Sequence, residues 1–178
     1  MKSSRIFASV TVAFLTVALC TVAVGQNVGQ NNATAQEVIA KVREAASALS
    51  KTGDLAQFNQ KQGPWVWEDT YIFIQDCSKK TMVAHPIKPE MIGQDLSSVK
   101  DAKTGKSIYP DSDAYCKTVQ ASPSGTWNEY WWPKPGETAP ARKITYHLSA
   151  KGTPYIVNAG IYDDKATVKE LSKLSSMK

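Results

Sequence analysis

The chain has 178 residues, with 21 Lys and Arg against 16 Asp and Glu and a formal net charge of +5. No basic run is longer than a pair, which excludes the clustered cationic stripe of a nucleic-acid-binding surface. The length supports one domain with its own core and leaves too little for two.

The first 25 residues read as a secretory signal. Lys2 and Arg5 form a charged start, Ile6 to Val24 is almost wholly small or apolar, and Ala23 and Gly25 before Gln26 fit a small-residue cleavage site. The alternative is an uncleaved anchor, because the run is nearly long enough to cross a bilayer. The export reading places the mature chain in the periplasm or the medium, with no membrane contact after cleavage. Beyond Cys20 the only cysteines are Cys77 and Cys116, which an oxidising compartment allows to pair. Two separately buried thiols are the alternative. Zinc fits less well, since there is no CxxC and the histidines lie far off.

Residues 26–34 are polar and read as a flexible leader. Thr34 with Glu37 makes a capping box, and Val38, Val42, Ala45 and Leu49 recur at helical spacing, which predicts a helix over 35–51. Asp54 caps a further short turn bearing Leu55 and Phe58. The rhythm changes at Gly63-Pro64. Segments 70–75 and 81–85, rich in aromatic and β-branched residues and separated by a polar turn, predict a hairpin. Residues 87–111 carry Pro89, Gly93, Asp101, Gly105 and Pro110 and predict loops with short helical turns, before a helix capped by Ser112 or Asp113. Strands follow over 126–132, 142–149 and 154–161. Their connections are too short for crossovers, so neighbours run antiparallel. Val168, Leu171 and Leu174 predict a closing amphipathic helix. The result is an α+β fold, a five-stranded antiparallel sheet with helices against it.

Large rings concentrate in two places: Trp65, Trp67 and Tyr71, and Trp127, Tyr130, Trp131 and Trp132. Alternation puts Tyr130 and Trp132 on one face of their strand and Trp127 and Trp131 on the other. One set fills a core; the other either packs under a helix or lines a small-molecule pocket. Polar residues able to complete such a pocket are His85, Lys143, Tyr146 and Asn158. Lys143 and Tyr146 fall on opposite faces of a regular strand, so they share a cavity only across a bend. A buried Asn158 must be hydrogen-bonded, to backbone or to a ligand. Catalysis finds no support: GxSxG, HExxH and phosphate-cradling glycine loops are absent, and no cofactor or metal is expected.

Trp67-Glu68-Asp69-Thr70-Tyr71-Ile72-Phe73, then His85-Pro86, Ile92-Gly93, Asp101 with Gly105, Tyr130-x-Trp132-x-x-x-Gly136, Lys143-Ile144-Thr145-Tyr146 and Asn158-Ala159-Gly160-Ile161-Tyr162 run in order over most of the chain. Together they resemble the single Cache domain family. The resemblance implies a single Cache domain over residues 35–178, with a long N-terminal helix and a PAS-like antiparallel sheet, that acts as an extracytoplasmic sensor of small molecules, often carboxylates or amino acids. It implies a pocket beneath residues 86–120, with Trp67, Tyr71, His85, Tyr130, Lys143, Tyr146 and Asn158 as ligand-binding candidates. Unlike the usual members of that family, the chain is expected to work without a second span and an output domain. The expected function is therefore a stand-alone binding or sensory module for a small organic ligand, not an enzyme, signalling through a separate membrane receptor or other protein. The alternative is an interaction or structural module that keeps the fold without a ligand.

Overall fold

The computed structural model describes residues 31–177. The signal segment and most of the leader lie outside the described residues. Helix α1 (Ala35–Thr52) begins at the Thr34–Glu37 capping box and ends at Gly53 in the left-handed conformation. Asp54 then accepts the Ala56 amide N–H and opens a short 3-10 turn.

The segment expected as one strand over 70–75 is divided in two. Strands β1 (Val66–Trp67) and β2 (Thr70–Tyr71) form a separate tight hairpin. Strand β3 (Phe73–Asp76) joins β4 (Thr81–Ala84), β5 (Thr126–Pro133), β6 (Pro140–Ser149) and β7 (Tyr155–Tyr162) in a five-stranded sheet ordered β4-β3-β7-β6-β5. Every neighbouring pair is antiparallel. Helix α2 (Ser112–Gln120) takes its cap from Asp111, whose carboxylate accepts the Ala114 N–H, one residue before the expected cap. Helix α3 (Val168–Ser176) closes the fold from a Thr167–Glu170 capping box.

Each sheet face is covered. Val38, Val42, Ala45 and Leu49 of α1 meet Ile74, Ile144, Tyr146, Val157, Ala159 and Ile161, with Leu171 of α3 at the rim. On the other face Tyr71, Phe73, Met82, Tyr130, Trp132 and Ile156 pack under Met91, Leu96, Val99, Tyr109, Cys116 and Val119. This second layer is the irregular insert between β4 and β5. It also protects the sheet edges. Met82 and Lys80 along β4 exchange backbone hydrogen bonds with Gly93, Gln94 and Leu96, while Asp101 and Ala102 bind the backbone of Trp131 on β5.

Cys77 and Cys116 are joined in a disulfide, with Cα atoms 5.8 Å apart. The bond ties the β3–β4 turn to α2, and Lys80 and Asp113 form an ion pair of 2.7 Å between the same elements.

Candidate functional site

The face under the insert carries the polar residues. Alternation along β6 turns Lys143, Thr145 and His147 toward the insert and Ile144 and Tyr146 toward α1. The same rule puts Phe73 and Gln75 of β3 and Asn158 and Tyr162 of β7 on the insert face.

At the centre lies a cavity of about 10 Å³, lined by Tyr71, Phe73, His85, Tyr109, Tyr130 and Trp132, with Met82, Met91, Val99 and Ile108 closing it. The volume is about that of a single water site. His85 lies against Tyr71 and Phe73, with ring centroids 4.9 and 5.8 Å away. Its Nδ1 accepts the Lys88 amide N–H at 3.0 Å, so the neutral ring carries its proton on Nε2. Burial, with the charges of Lys143 and Lys88, pushes the His85 pKa down to about 3, and the ring is neutral at physiological pH. Thr145 and Tyr130 share a hydroxyl hydrogen bond of 2.8 Å. Burial drives the phenols of Tyr71 and Tyr130 upward, so both keep their protons.

Lys143 is fully buried, and its Nζ has no hydrogen-bond partner. Rings surround it instead: Nζ is 4.2 Å from the Tyr71 centroid, 5.2 Å from Tyr162 and 5.5 Å from Phe73. Ring faces attract a cation but do not replace hydration. Burial therefore pulls its pKa down to about 7, with the charge of Asp69 opposing the fall and that of Lys88 adding to it. Asp69 is itself engaged: one carboxylate oxygen accepts the Ala33 N–H at 2.9 Å, and the other lies 2.9 Å from Nζ of Lys134.

Beside the cavity a second cluster holds the insert to the sheet. Asn158 donates to the carbonyls of Phe73 and Ile156, both at 3.1 Å. Its amide oxygen is thereby fixed as the acceptor for Nδ1 of His147 at 2.6 Å. Burial keeps His147 neutral, with a pKa near 4, so Nε2 is the acceptor and Asn128, 2.7 Å away, must turn its amide NH2 toward it. Tyr115 of α2 donates to Gln75 at 2.6 Å and its ring meets Tyr109 at 4.6 Å.

Of the residues singled out from the sequence, Tyr71, His85 and Tyr130 line the cavity, and Lys143 lies against its Tyr71 and Phe73 rings. Asn158 shares the face, but its amide is occupied by backbone and His147. Two placements need correction. Tyr146 faces α1, lies against Trp127 with ring centroids 5.0 Å apart and donates its hydroxyl hydrogen to the Ser124 carbonyl; β6 is regular here, so no bend brings it round. Trp67 packs against the α1-side core because the β1–β2 hairpin turns it there. Phe73, Met82, Met91, Val99, Ile108, Tyr109 and Trp132 were not assigned to the site from the sequence; Met91, Val99, Ile108 and Tyr109 sit in the aperiodic insert, and the other three lie on strands of the sheet. Among the described residues no group of three or more His, Cys, Asp or Glu is placed to hold a metal ion.

The family model for Single Cache domain 2 matches residues 10–175. The chain is similar to the methyl-accepting chemotaxis protein McpP of Pseudomonas putida KT2440, being 32% identical over 122 residues, which make up 68% of this chain and 21% of that protein. It therefore spans about a fifth of the length of that relative. Among solved structures, it is similar to a Cache chemosensory domain described as the basis for carboxylic acid recognition, with 24% identity, a TM-score of 0.51, and coverage of 73% of this chain and 88% of that one. The periplasmic sensor domain of a chemotaxis protein is 25% identical with a TM-score of 0.51, covering 73% and 90%. A methyl-accepting chemotaxis protein from Vibrio parahaemolyticus is 22% identical with a TM-score of 0.55, covering 72% and 88%.

Proposed function

The chain belongs to the single Cache domain 2 family of sensory domains, and on that premise we propose that its aromatic cavity binds a small organic carboxylate outside the cytoplasm. The observation that carries the reading is Lys143, a fully buried ammonium with no hydrogen-bond partner beside that cavity. An incoming carboxylate supplies the missing charge-assisted bond. The Nε2 proton of His85 and the hydroxyls of Tyr71 and Tyr130 are donors able to orient it. A cavity of about 10 Å³ restricts the ligand to a short acid and requires the lining to yield, which two methionine side chains, Met82 and Met91, favour. The carboxylic acid recognition described for one structural neighbour supports the same chemical class. The disulfide and the signal-like first 25 residues support an extracytoplasmic site.

A second reading, an interaction module that has kept the fold without a ligand, is favoured by the small volume of the cavity. Calorimetric titration of the oxidised protein with acetate, propionate, pyruvate and lactate, and with amino acids as a second class, decides between them. Saturable heat for a carboxylate, lost in Lys143→Met, supports the first reading. No heat with any of these compounds, in protein that unfolds cooperatively, supports the second.

A further inference from the structure

Outside the small cavity, on the far side of two of its own lining rings, lies a larger groove of about 420 Å³ between residues 87–90 and the β5–β6 loop. Tyr71 and Trp132 border both spaces. Tyr71 is held by the Lys143 ammonium on its ring and by His85 against it. Trp132 is the more exposed of the two, at 9% against 1%, and it is held from the groove side by Nζ of Lys88, 4.7 Å from its ring centroid. Lys88 is also the residue whose amide fixes the His85 ring and whose charge is felt at His85 and Lys143. One residue therefore braces the ring between the two spaces with its side chain and, with its backbone amide, fixes the His85 ring on the inner side.

We propose that Trp132, latched by Lys88, is the partition between cavity and groove, and that it sets the longest acid the site accepts. With the ring in place the carboxylate end and a short tail fill the inner space. With the ring removed, the tail continues into the groove alongside Ile87 and the loop that carries Glu137. This deepens the carboxylate reading and rests on it for the identity of the ligand, while the partition itself is a property of the fold.

The test has two arms. In the first, wild type, Trp132→Ala and Lys88→Met are titrated with acetate, propionate, butyrate and hexanoate. Wild type should rank the short acids first, and Trp132→Ala should reverse the order, gaining roughly fourfold for each further methylene that the joined space buries. Lys88→Met should keep the ranking and raise the dissociation rate roughly two- to tenfold, the worth of the lost cation–ring contact. An unchanged ranking in folded Trp132→Ala overturns the proposal.

The second arm needs no ligand. Treatment with tert-butyl hydroperoxide moves one oxygen atom to a reachable methionine sulfur and leaves tert-butanol. Met177, 61% exposed, reports that the reagent is active, while Met82 and Met91 line the cavity. Their oxidation should quicken roughly tenfold or more in Trp132→Ala, and less in Lys88→Met, because exposure governs this reaction. Trp127→Ala, which removes a ring of the same size from the α1-side core, should leave both protected. Equal oxidation in Trp127→Ala, or none in either groove variant, overturns the partition. If wild type binds no acid while this arm succeeds, the carboxylate reading falls and the partition stands.

Discussion

Lys143 and Gly160 meet across the β6–β7 ladder: a Cβ on Gly160 would stand 2.8 Å from Cε of Lys143. It would also lie 2.7 Å from the Thr145 hydroxyl oxygen and 2.8 Å from the Ile144 carbonyl. The bare backbone of Gly160 is what gives the buried lysine its position. Because one of the three obstacles is backbone, Gly160→Ala should destabilise the fold by about 1–3 kcal/mol and displace Lys143. Denaturant unfolding and carboxylate titration of the same variant check both effects.

Lys143→Met should separate stability from binding. Removing a buried cation that has no hydrogen-bond partner leaves the unfolding midpoint unchanged or raises it, while carboxylate affinity falls about 10- to 100-fold with the loss of a charged hydrogen bond. The wild-type pH profile follows from the same group. Affinity should decline above pH 7, where the free ammonium loses its proton. Stability should move oppositely: between pH 7 and the ordinary lysine range the unfolded chain binds the extra proton, so this group makes stability rise with pH.

His85 and His147 set the acid side. Their native pKa values, about 3 and about 4, lie below the ordinary histidine value of 6.5. Between those limits the unfolded state binds more protons, so stability falls as the solution is acidified below pH 6.5, by several kcal/mol for the pair on the order of 1.4 kcal/mol per unit shift. Urea midpoints measured from pH 7 to pH 4 should show this slope, and it should flatten in His85→Phe.

The disulfide should stabilise the fold by about 4 kcal/mol through the loop it closes. Replacing Cys77 and Cys116 by Ala should lower the denaturation midpoint accordingly. It should also weaken ligand binding, because Tyr115, next to Cys116, contacts the cavity-lining Tyr109 ring. Paired unfolding and titration experiments on oxidised wild type and the double variant test both effects.

Tyr146→Phe is the contrasting case. Its hydroxyl bonds Ser124 on the α1 side, so the substitution should reduce stability by about 1 kcal/mol and leave carboxylate affinity unchanged. A loss of affinity would contradict the two-faced description of β6.

The regular elements were legible because each carries a period or a cap. The Thr34–Glu37 box and the four apolar residues of α1 gave that helix to within a residue, and alternation in β5 correctly set Tyr130 and Trp132 apart from Trp127. The same rule already separated Lys143 from Tyr146, and the regular course of β6 upholds it. The insert was not legible in this way. Val99 and Tyr109 are buried, and Ile108 half-buried, by tertiary contact, with no repeat in the sequence to announce it. Nor could local pattern pair β3 with β7, or place the Asp69 carboxylate between Ala33 and Lys134. Those contacts join distant parts of the chain.

The β3–β7 seam also governs the order of assembly. Asn158 closes it by reaching the Phe73 carbonyl 85 residues earlier, so the sheet's interior edge stays open until almost the whole chain is present. The β3–β4 hairpin, local and able to form early, must wait with one side unsatisfied. Such long-range closure is a slow step, and a chain cut short before β7 would expose an aggregation-prone strand edge.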